Sequence, residues 1–368
     1  MASQCPKLLL RDKLAMFVGE HGGMKQRDDS WYKSMGTTIG GSEIAAILGM
    51  NPYSSFDDIV SSKVAHLSGK NTWNGNEACW WGVLFEDVIC AYTSKYLDAE
   101  IVGDEICIQK YEGHRFSPDG LAVADFFRNS AGELCIRAAT ATDIASEPQI
   151  ILLEFKCPLR RRPTFEVPKQ YLPQVLSGLN VTPATTGLFV DAVFRLCSYT
   201  VFNFGSKINT SYHYTEKDTS RIPAAIGMIG VYALNDDDSV SSQLACRIIR
   251  EEPSAKTIGG YLDIGGMTSA KIVNVLANID NKNFTVFRSQ PIMAGSTDET
   301  DLAAKTLANL VENTPAGYFL IGTISWKLVD VFMIPVEKKE HFMDEVMPII
   351  SKVHAKVRDI LSATQSNP

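Results

Sequence analysis

The sequence lacks the features that mark membrane, secreted and disulfide-bonded proteins. It contains no apolar run of roughly eighteen residues, so no transmembrane span is expected. Residues 1–11 hold one short apolar triplet and no small-residue cleavage site, which argues against a secretory leader. The eight cysteines are scattered without a CxxC pair. We therefore expect reduced, buried thiols in an intracellular protein, and no disulfide framework, zinc site or iron–sulfur cluster.

The chain also lacks the excess positive charge of proteins that bind nucleic acid over their whole surface. Its 35 Lys and Arg residues are outnumbered by 42 Asp and Glu residues, which leaves a formal charge of −7. Any binding of DNA must then use a local basic groove or metal ions. With 45% hydrophobic and 21% charged residues, the composition is that of a folded globular protein and excludes a disordered or coiled-coil chain.

Hydrophobic periodicity predicts a helical first part followed by a strand-rich part. The predicted helices lie at 43–50, 56–67 (capped by Ser55), 77–97, 168–179 (kinked at Pro173) and 341–361. The predicted strands lie at 101–110, 116–124, 150–156, 185–194, 199–204, 318–325 and 327–335, with a hairpin or insertion at 128–148. We expect an α/β domain built from a core at 1–204, an elaboration of the same domain at 205–315, and closing strands with a final helix at 316–368.

Three charged residues stand out against this strand pattern. Asp119 lies in a Ser-Pro-Asp-Gly turn at a strand end, and Glu154 and Lys156 interrupt the apolar run at 150–156. Because side chains alternate along a strand, Glu154 and Lys156 share one face. Two carboxylates beside a lysine suit a Mg²⁺ ion that activates water for attack on a phosphate, with the lysine placing the water or stabilising the developing charge. The alternative is a structural ion pair, with Asp119 only a turn residue.

Five motifs in sequence order resemble the PD-(D/E)XK nuclease superfamily, and within it the lambda exonuclease branch, also called the YqaJ-type viral recombinases. They are Ile39-Gly-Gly-Ser-Glu-Ile-Ala-Ala-Ile-Leu-Gly-Met-Asn-Pro-Tyr53, Gly82-Val-Leu-Phe-Glu-Asp87, Ser117-Pro-Asp-Gly-Leu121, Leu153-Glu-Phe-Lys-Cys-Pro158 and Tyr171-Leu-Pro-Gln-Val175. The resemblance spans about residues 30–200. It implies a restriction-endonuclease-like α/β core, with a central mixed β-sheet flanked by helices and a C-terminal elaboration.

The family's activity and metal site follow from the resemblance. It implies Mg²⁺-dependent hydrolysis of DNA, as a 5′→3′ exonuclease on double-stranded ends that produces 3′ single strands for recombination or replication. Asp119 and Glu154 would ligate the metal together with the backbone carbonyl of Phe155. Glu86 would reach the metal directly or through water; its alternative is a solvated helix face. Mn²⁺ is expected to be able to replace Mg²⁺.

Other matched residues would contact the attacking water and the DNA. Lys156 and Gln174 would orient the water, although Gln174 could instead be a surface residue. Ser42 and Ser117 match serines that contact the terminal phosphate, and the Gly-Gly-Ser turn before a helix is suited to bind one. Ser42 could also simply cap that helix. A strand-guiding basic patch, or a solvated turn, is formed by Arg160, Arg161 and Arg162.

Two features depart from the family's pattern. Met35 stands where the family has an arginine, seven residues before the serine of the Gly-Gly-Ser turn, and Lys25, Arg27 or Lys33 could replace it. The insertion at 128–148 also lengthens the spacing between the two metal-binding carboxylates.

Partners and alternative functions complete the expectations. Lambda-type enzymes are toroidal homotrimers that work with a single-strand annealing protein, so a homo-oligomer and such a partner are implied here. If the protein is viral, it would act in the cytoplasm or nucleus of the host cell. Two alternatives remain open: a structure-selective or nicking endonuclease with the same site, and an inactive module that binds DNA ends.

Overall fold

The computed structural model describes residues 6–70, 77–128, 133–136, 147–159, 161–202, 224–235, 257–258, 260–266, 284–294 and 301–366. The α-helices in these ranges are α1 (Pro6–His21), α2 (Asp29–Ser34), α3 (Ile44–Ile47), α4 (Phe56–Leu67), α5 (Glu77–Leu97), α6 (Leu172–Val181), α7 (Leu302–Glu312) and α8 (Phe342–Ser366). The strands are β1 (Ile39–Gly40), β2 (His114–Arg115), β3 (Gly120–Arg128), β4 (Leu134–Ile136), β5 (Glu147–Lys156), β6 (Thr186–Cys197), β7 (Ala225–Leu234), β8 (Thr257–Ile258), β9 (Tyr261–Asp263), β10 (Phe284–Arg288), β11 (Ile292–Met293) and β12 (Tyr318–Glu337).

A mixed sheet forms the centre of the fold. Its main path has the order β10-β7-β12-β6-β5-β3-β4. β5 and β6 are parallel and are connected through α6, whereas the other neighbours along this path are antiparallel. The predicted α/β class with a central mixed sheet is confirmed. β7 and β10 extend the sheet on the far side of β12.

Helices cover both faces of this sheet, and β5 shows how the strands divide between them. Ile151 and Leu153 face α5, where Phe85 is fully buried in the same core cluster. Ile150 and Leu152 belong to the second core cluster, on the face covered by α6 and α8. Burial on both faces explains the nearly continuous apolar run in β5.

Two predicted helices are confirmed at their stated bounds, and a third needs correction. α4 spans 56–67, with Ser55 as its cap, and α5 spans 77–97. The helix predicted at 168–179 begins only at Leu172, so Pro173 lies in its first turn and the predicted kink is wrong. Proline fits there because a first-turn residue needs no N–H for an intrahelical bond.

Several other element predictions are also wrong. The segment 101–110 makes only isolated bridges, and Gly103 turns the chain there with a φ of 78°. Of the strand predicted at 199–204, residues 199–202 are described, and they form a 3₁₀ turn at Tyr199–Val201. The two strands predicted at 318–325 and 327–335 are one strand, β12, because the polar Ser325 and Lys327 are buried within the sheet and do not form a turn. α1 was not predicted, and of the 128–148 insertion only Arg128 at the end of β3, residues 133–136 with β4, and the first residues of β5 are described.

Candidate active site

A cleft of about 860 Å³ opens at the carboxyl end of β5, between α5 and α6. It collects most of the residues that the sequence proposed for catalysis and DNA binding. Those that line it are Ser42, Glu86, Asp119, Phe155, Lys156, Arg161 and Gln174. Glu154 is completely buried and reaches the cleft through its contact with Lys156.

The Glu154–Lys156 pair lies on β5 as strand alternation predicts. The Lys156 ammonium donates to Glu154 Oε1, while Glu154 Oε2 is buried without a hydrogen-bond partner in the described residues. Burial raises the pKa of Glu154 to about 8, against the pull of the Lys156 charge. Burial would lower the pKa of Lys156, but the charges of Glu154 and Asp119 outweigh it and raise that pKa, so the ammonium stays protonated.

Asp119 is brought beside this pair by strand pairing. It immediately precedes β3, whose first residue, Gly120, lies opposite Leu153 on β5. Its Oδ2 accepts a 2.6 Å hydrogen bond from the backbone N–H of Phe155. Burial raises the pKa of Asp119, while the Lys156 charge opposes the shift.

Glu86 approaches the same point from α5. It lies on the helix face that lines the cleft, and its side chain is 37% exposed. Burial, followed by the negative charge of Asp119, raises the pKa of Glu86. The guanidinium of Arg27 is 3.7 Å from its carboxylate. The structure therefore brings together all three predicted carboxylates with the predicted lysine.

This group of charges has the chemistry that a divalent cation requires. Three carboxylates lie around the partly buried Lys156 ammonium, with the Arg27 guanidinium beside Glu86, and the pKa of each carboxyl is raised. Within the described ranges, no three acidic, histidine or cysteine side chains already form a set close enough to hold a metal ion. In this structure Lys156 donates a hydrogen bond to Glu154 Oε1, and the Phe155 N–H donates one to Asp119 Oδ2. The oxygen donors and the partnerless Glu154 Oε2 fit Mg²⁺, which prefers oxygen ligands and relieves crowded negative charge.

Tyr171 and Asp191 organise the cations on the other wall of the cleft. The Tyr171 ring lies 5.3 Å from Lys156 Nζ and 5.6 Å from Arg161 Cζ. Arg161 Nη2 is 2.6 Å from the buried Asp191 Oδ2. Asp191 was not predicted as a site residue, although an aspartate within the apolar run of β6 is the same signal that identified Glu154.

The residues predicted to bind phosphate lie in different places. Ser42 is exposed in the cleft, and Gly40 rather than Ser42 occupies the N-cap position, so the capping alternative for Ser42 is wrong. Glu43 fixes the turn by accepting from the Gly40 N–H and from Lys63 Nζ, both at 2.7 Å. The buried hydroxyl of Ser117 lies beside the Cys107 thiol, outside the cleft lining.

The remaining basic residues are divided as follows. Arg161 lines the cleft, Arg162 lies outside its lining, and Arg160 is outside the described residues. Of the three replacements considered for the missing family arginine, only Arg27 lines the cleft. Its backbone adopts a φ of 70°, which is uncommon for a residue other than glycine and is often found at functional sites. Lys25 instead pairs with an exposed glutamate.

Aromatic residues near the cleft also differ in role. Trp81 is 1% exposed and packs edge-to-face on Phe85, so it belongs to the core and is not available to stack on a base. Trp73 and the side chain of Trp80 lie outside the described residues. Tyr53, which the sequence analysis did not select, is 84% exposed at the rim of the cleft.

The fold and the cleft define a class of protein. A mixed sheet flanked by helices, with an acid-x-lysine strand meeting a second carboxylate that immediately precedes the neighbouring strand, is consistent with a PD-(D/E)XK-type α/β core. Residues 30–185 match the model of the YqaJ-like viral recombinase domain, which confirms the family resemblance drawn from the motifs. The domain match and the cleft together support a nuclease role.

Individual proteins are similar over longer or shorter stretches. A protein of African swine fever virus, from the isolate Tick/Malawi/Lil 20-1, is 29% identical over 338 residues, covering 89% of this chain and 84% of that protein. Its counterpart in a Vero-adapted Badajoz strain is 29% identical over 334 residues, with the same coverage. Among solved structures, the alkaline exonuclease LHK-Exo from Laribacter hongkongensis is 18% identical, with a TM-score of 0.32 over 45% of this chain and 74% of that one.

None of the helices within the described ranges combines the length and the apolar character that crossing a bilayer requires.

Proposed function

We propose that this protein is a Mg²⁺-dependent DNA exonuclease that degrades double-stranded ends in the 5′→3′ direction and leaves 3′ single strands for recombination or replication. The observation that carries the proposal is the convergence of Glu86, Asp119 and Glu154 with Lys156 in one cleft. The charge balance of that group favours a divalent cation, and the YqaJ-like domain match supports action on DNA.

The metal would be held by a small set of oxygen donors: the carboxylates of Asp119 and Glu154 and the backbone carbonyl of Phe155, with Glu86 directly or through water. When bound, Mg²⁺ supplies polarisation of the scissile phosphate and a lowered pKa of the attacking water, and Mn²⁺ is expected to replace it. With Glu154 holding the metal, Lys156 would be available to donate from its ammonium to the attacking water and to hold that water in line with the scissile bond.

Gln174 and the cleft walls act on the substrate. Gln174 lines the cleft from α6, where its amide can fix the water or a phosphate oxygen. Arg161 offers a guanidinium already oriented by Asp191 and the Tyr171 ring, which reduces the entropy lost on binding phosphate. Arg27 lies across the cleft beside Glu86. The protein's net charge of −7 is no obstacle, because these phosphate contacts are local.

Other parts of the proposal concern the DNA end and the assembly. Ser42 receives the terminal phosphate at the Gly-Gly-Ser turn, assisted by the backbone N–H groups of that turn. Ser117 can take this role only if its hydroxyl turns out of the interior. The protein acts as a homo-oligomer, a trimer by resemblance, next to a single-strand annealing protein inside the cell.

The test is digestion of linear duplex DNA labelled separately at its 5′ and 3′ ends, with Mg²⁺ and with EDTA. A closed circular duplex and the Lys156→Ala protein serve as controls. Stepwise release of the 5′ label from linear DNA alone, lost with EDTA or with Lys156→Ala, is the expected result. Cutting of the circle would instead identify an endonuclease. Retained DNA binding with no cleavage would identify an end-binding module and overturn the catalytic roles.

A further inference from the structure

We propose that Arg288, on strand β10, is a positioning residue for Glu86. It clamps the α5 turn that carries Glu86 to the extended part of the sheet. The proposal rests on the nuclease function proposed above. It assigns a purpose to a strand that lies outside the residues matching the YqaJ-like domain.

The Arg288 side chain is committed to this one region of α5. Its Nε donates to the carbonyl of Leu84 at 3.1 Å, and its Nη2 donates to the Asp87 carboxylate. Its Nη1 donates to the Ser289 carbonyl at 2.7 Å, and the guanidinium lies 6.0 Å from the Trp326 ring centroid. Only 9% of the side chain is exposed. A planar guanidinium held on several sides is a rigid fixture, which a flexible lysine is not.

These contacts control the rotation of the helix. Leu84 and Asp87 are three residues apart, so they lie on one side of α5, next to each other along the axis. Glu86 lies between them in sequence and projects toward the cleft, about 100° around the axis from Asp87. Phe85 fixes the buried side of the same turn, with its ring 4.0 Å from Phe194. Glu86 is therefore carried by a turn that is anchored at two points.

A purely stabilising role explains the clamp less well than a positioning role. Asp87 is 67% exposed, and ion pairs with an exposed partner contribute little to stability. The face of α5 toward the sheet already carries the aromatic contacts that hold the helix in place. The remaining effect of the Arg288 contacts is on the orientation of the α5 turn that carries Glu86. They set the angle at which Glu86 enters the cleft, and displacements of about 1 Å at such groups reduce turnover strongly.

The experiment compares Arg288→Met, Arg288→Lys and Asp87→Asn with the wild type. Asp87→Asn tests the same clamp if the Arg288 variants fail to fold, because Asp87 is exposed and its replacement weakens the ion pair without removing a buried side chain. Lys95→Met is the matched control, since Lys95 also joins α5 to the extension, through the Ala294 carbonyl, but near the far end of the helix. We measure kcat and KM on duplex DNA, and Mn²⁺ binding by calorimetry with no DNA present.

Arg288→Met is expected to lower kcat by about tenfold and weaken Mn²⁺ binding several-fold, with KM for DNA within about twofold. Arg288→Lys recovers part of the loss, and Lys95→Met changes neither quantity. In a Glu86→Gln background, Arg288→Met adds nothing, because the residue it positions no longer acts. The proposal is overturned if Arg288→Met lowers kcat in the Glu86→Gln background as much as it does in the wild type. It is also overturned if Arg288→Met and Asp87→Asn both keep the kcat and Mn²⁺ binding of the wild type. If the wild type cleaves no DNA, the nuclease function fails separately, and Mn²⁺ binding still tests the clamp.

Discussion

Replacing Glu154 by glutamine should abolish cleavage and, without metal, make the protein more stable. The Glu154 carboxyl is completely buried, and burial raises its pKa to about 8 from an ordinary value of 4.5. A pKa raised in the folded state means that folding favours the protonated acid. Its contribution to stability is therefore full below pH 4.5 and is lost as the pH rises toward about 8.

The size of the effect follows from this pKa. Each pH unit within the window costs about 1.4 kcal/mol of unfolding free energy, so by pH 7 the wild type has lost up to about 3 kcal/mol, because folding keeps Glu154 protonated where the unfolded chain ionises it. Glu154→Gln removes this cost, although Lys156 loses an ionic partner. The net gain is accordingly on the order of 1–3 kcal/mol, or a few degrees in melting temperature. Lys156 stays protonated throughout and adds no pH dependence of its own.

The assay is thermal unfolding in EDTA at pH 5, 6, 7 and 8, repeated with Mg²⁺. The melting temperature of the wild type should fall across this range more steeply than that of Glu154→Gln, and Mg²⁺ should restore the wild type alone. Glu105→Gln is the control, because this exposed carboxylate pairs with Lys25 and lies outside the cleft lining. Parallel pH profiles for the wild type and Glu154→Gln would refute the reasoning, as would equal stabilisation of both by Mg²⁺.

Three further predictions use separate parts of the structure. Lys156→Met should lower kcat on duplex DNA at least 100-fold, on the order expected for loss of a water-orienting group, while gel-shift affinity stays within a few-fold. Arg161→Met should weaken DNA binding and reduce the slope of log K against log salt by about one, and an unchanged slope would exclude a phosphate contact. Burial and the neighbouring Arg115 charge lower the pKa of His114 to about 4 from 6.5, so stability should be lost as the pH falls from 6.5 to 4, by up to about 3 kcal/mol. His114→Leu should remove much of that acid sensitivity in denaturant unfolding.

Local pattern was enough to predict the centre of the site. Alternation along β5 places Glu154 and Lys156 on one face, and the same period sends Ile151 and Leu153 to the other. The signal is strong because a charge within an apolar strand is costly unless it is paired or binds something. Local pattern failed at β12, which was predicted as two strands but is continuous through the buried Ser325 and Lys327. The hydrophobic pattern shows where a polar residue interrupts an apolar run, but it does not show whether that residue is buried with a hydrogen-bond partner or lies in a turn.

The ion pairs between arginines and carboxylates around the site could not be predicted from local sequence. Arg27 reaches Glu86 across 59 residues, Arg161 meets Asp191 across a parallel strand pair, and Arg288 meets Asp87 across 201 residues. Arg27 and Arg161 were candidate phosphate contacts from the sequence, but their acidic partners were not predicted, and Arg288 lies on an edge strand without a local signal. Their roles depend on how the sheet is ordered, because β10 approaches α5 only when β7 and β12 lie between it and the core strands. Asp119, Glu154 and Lys156 can be predicted from one strand and one turn, whereas the contacts of the arginines around them require the complete sheet.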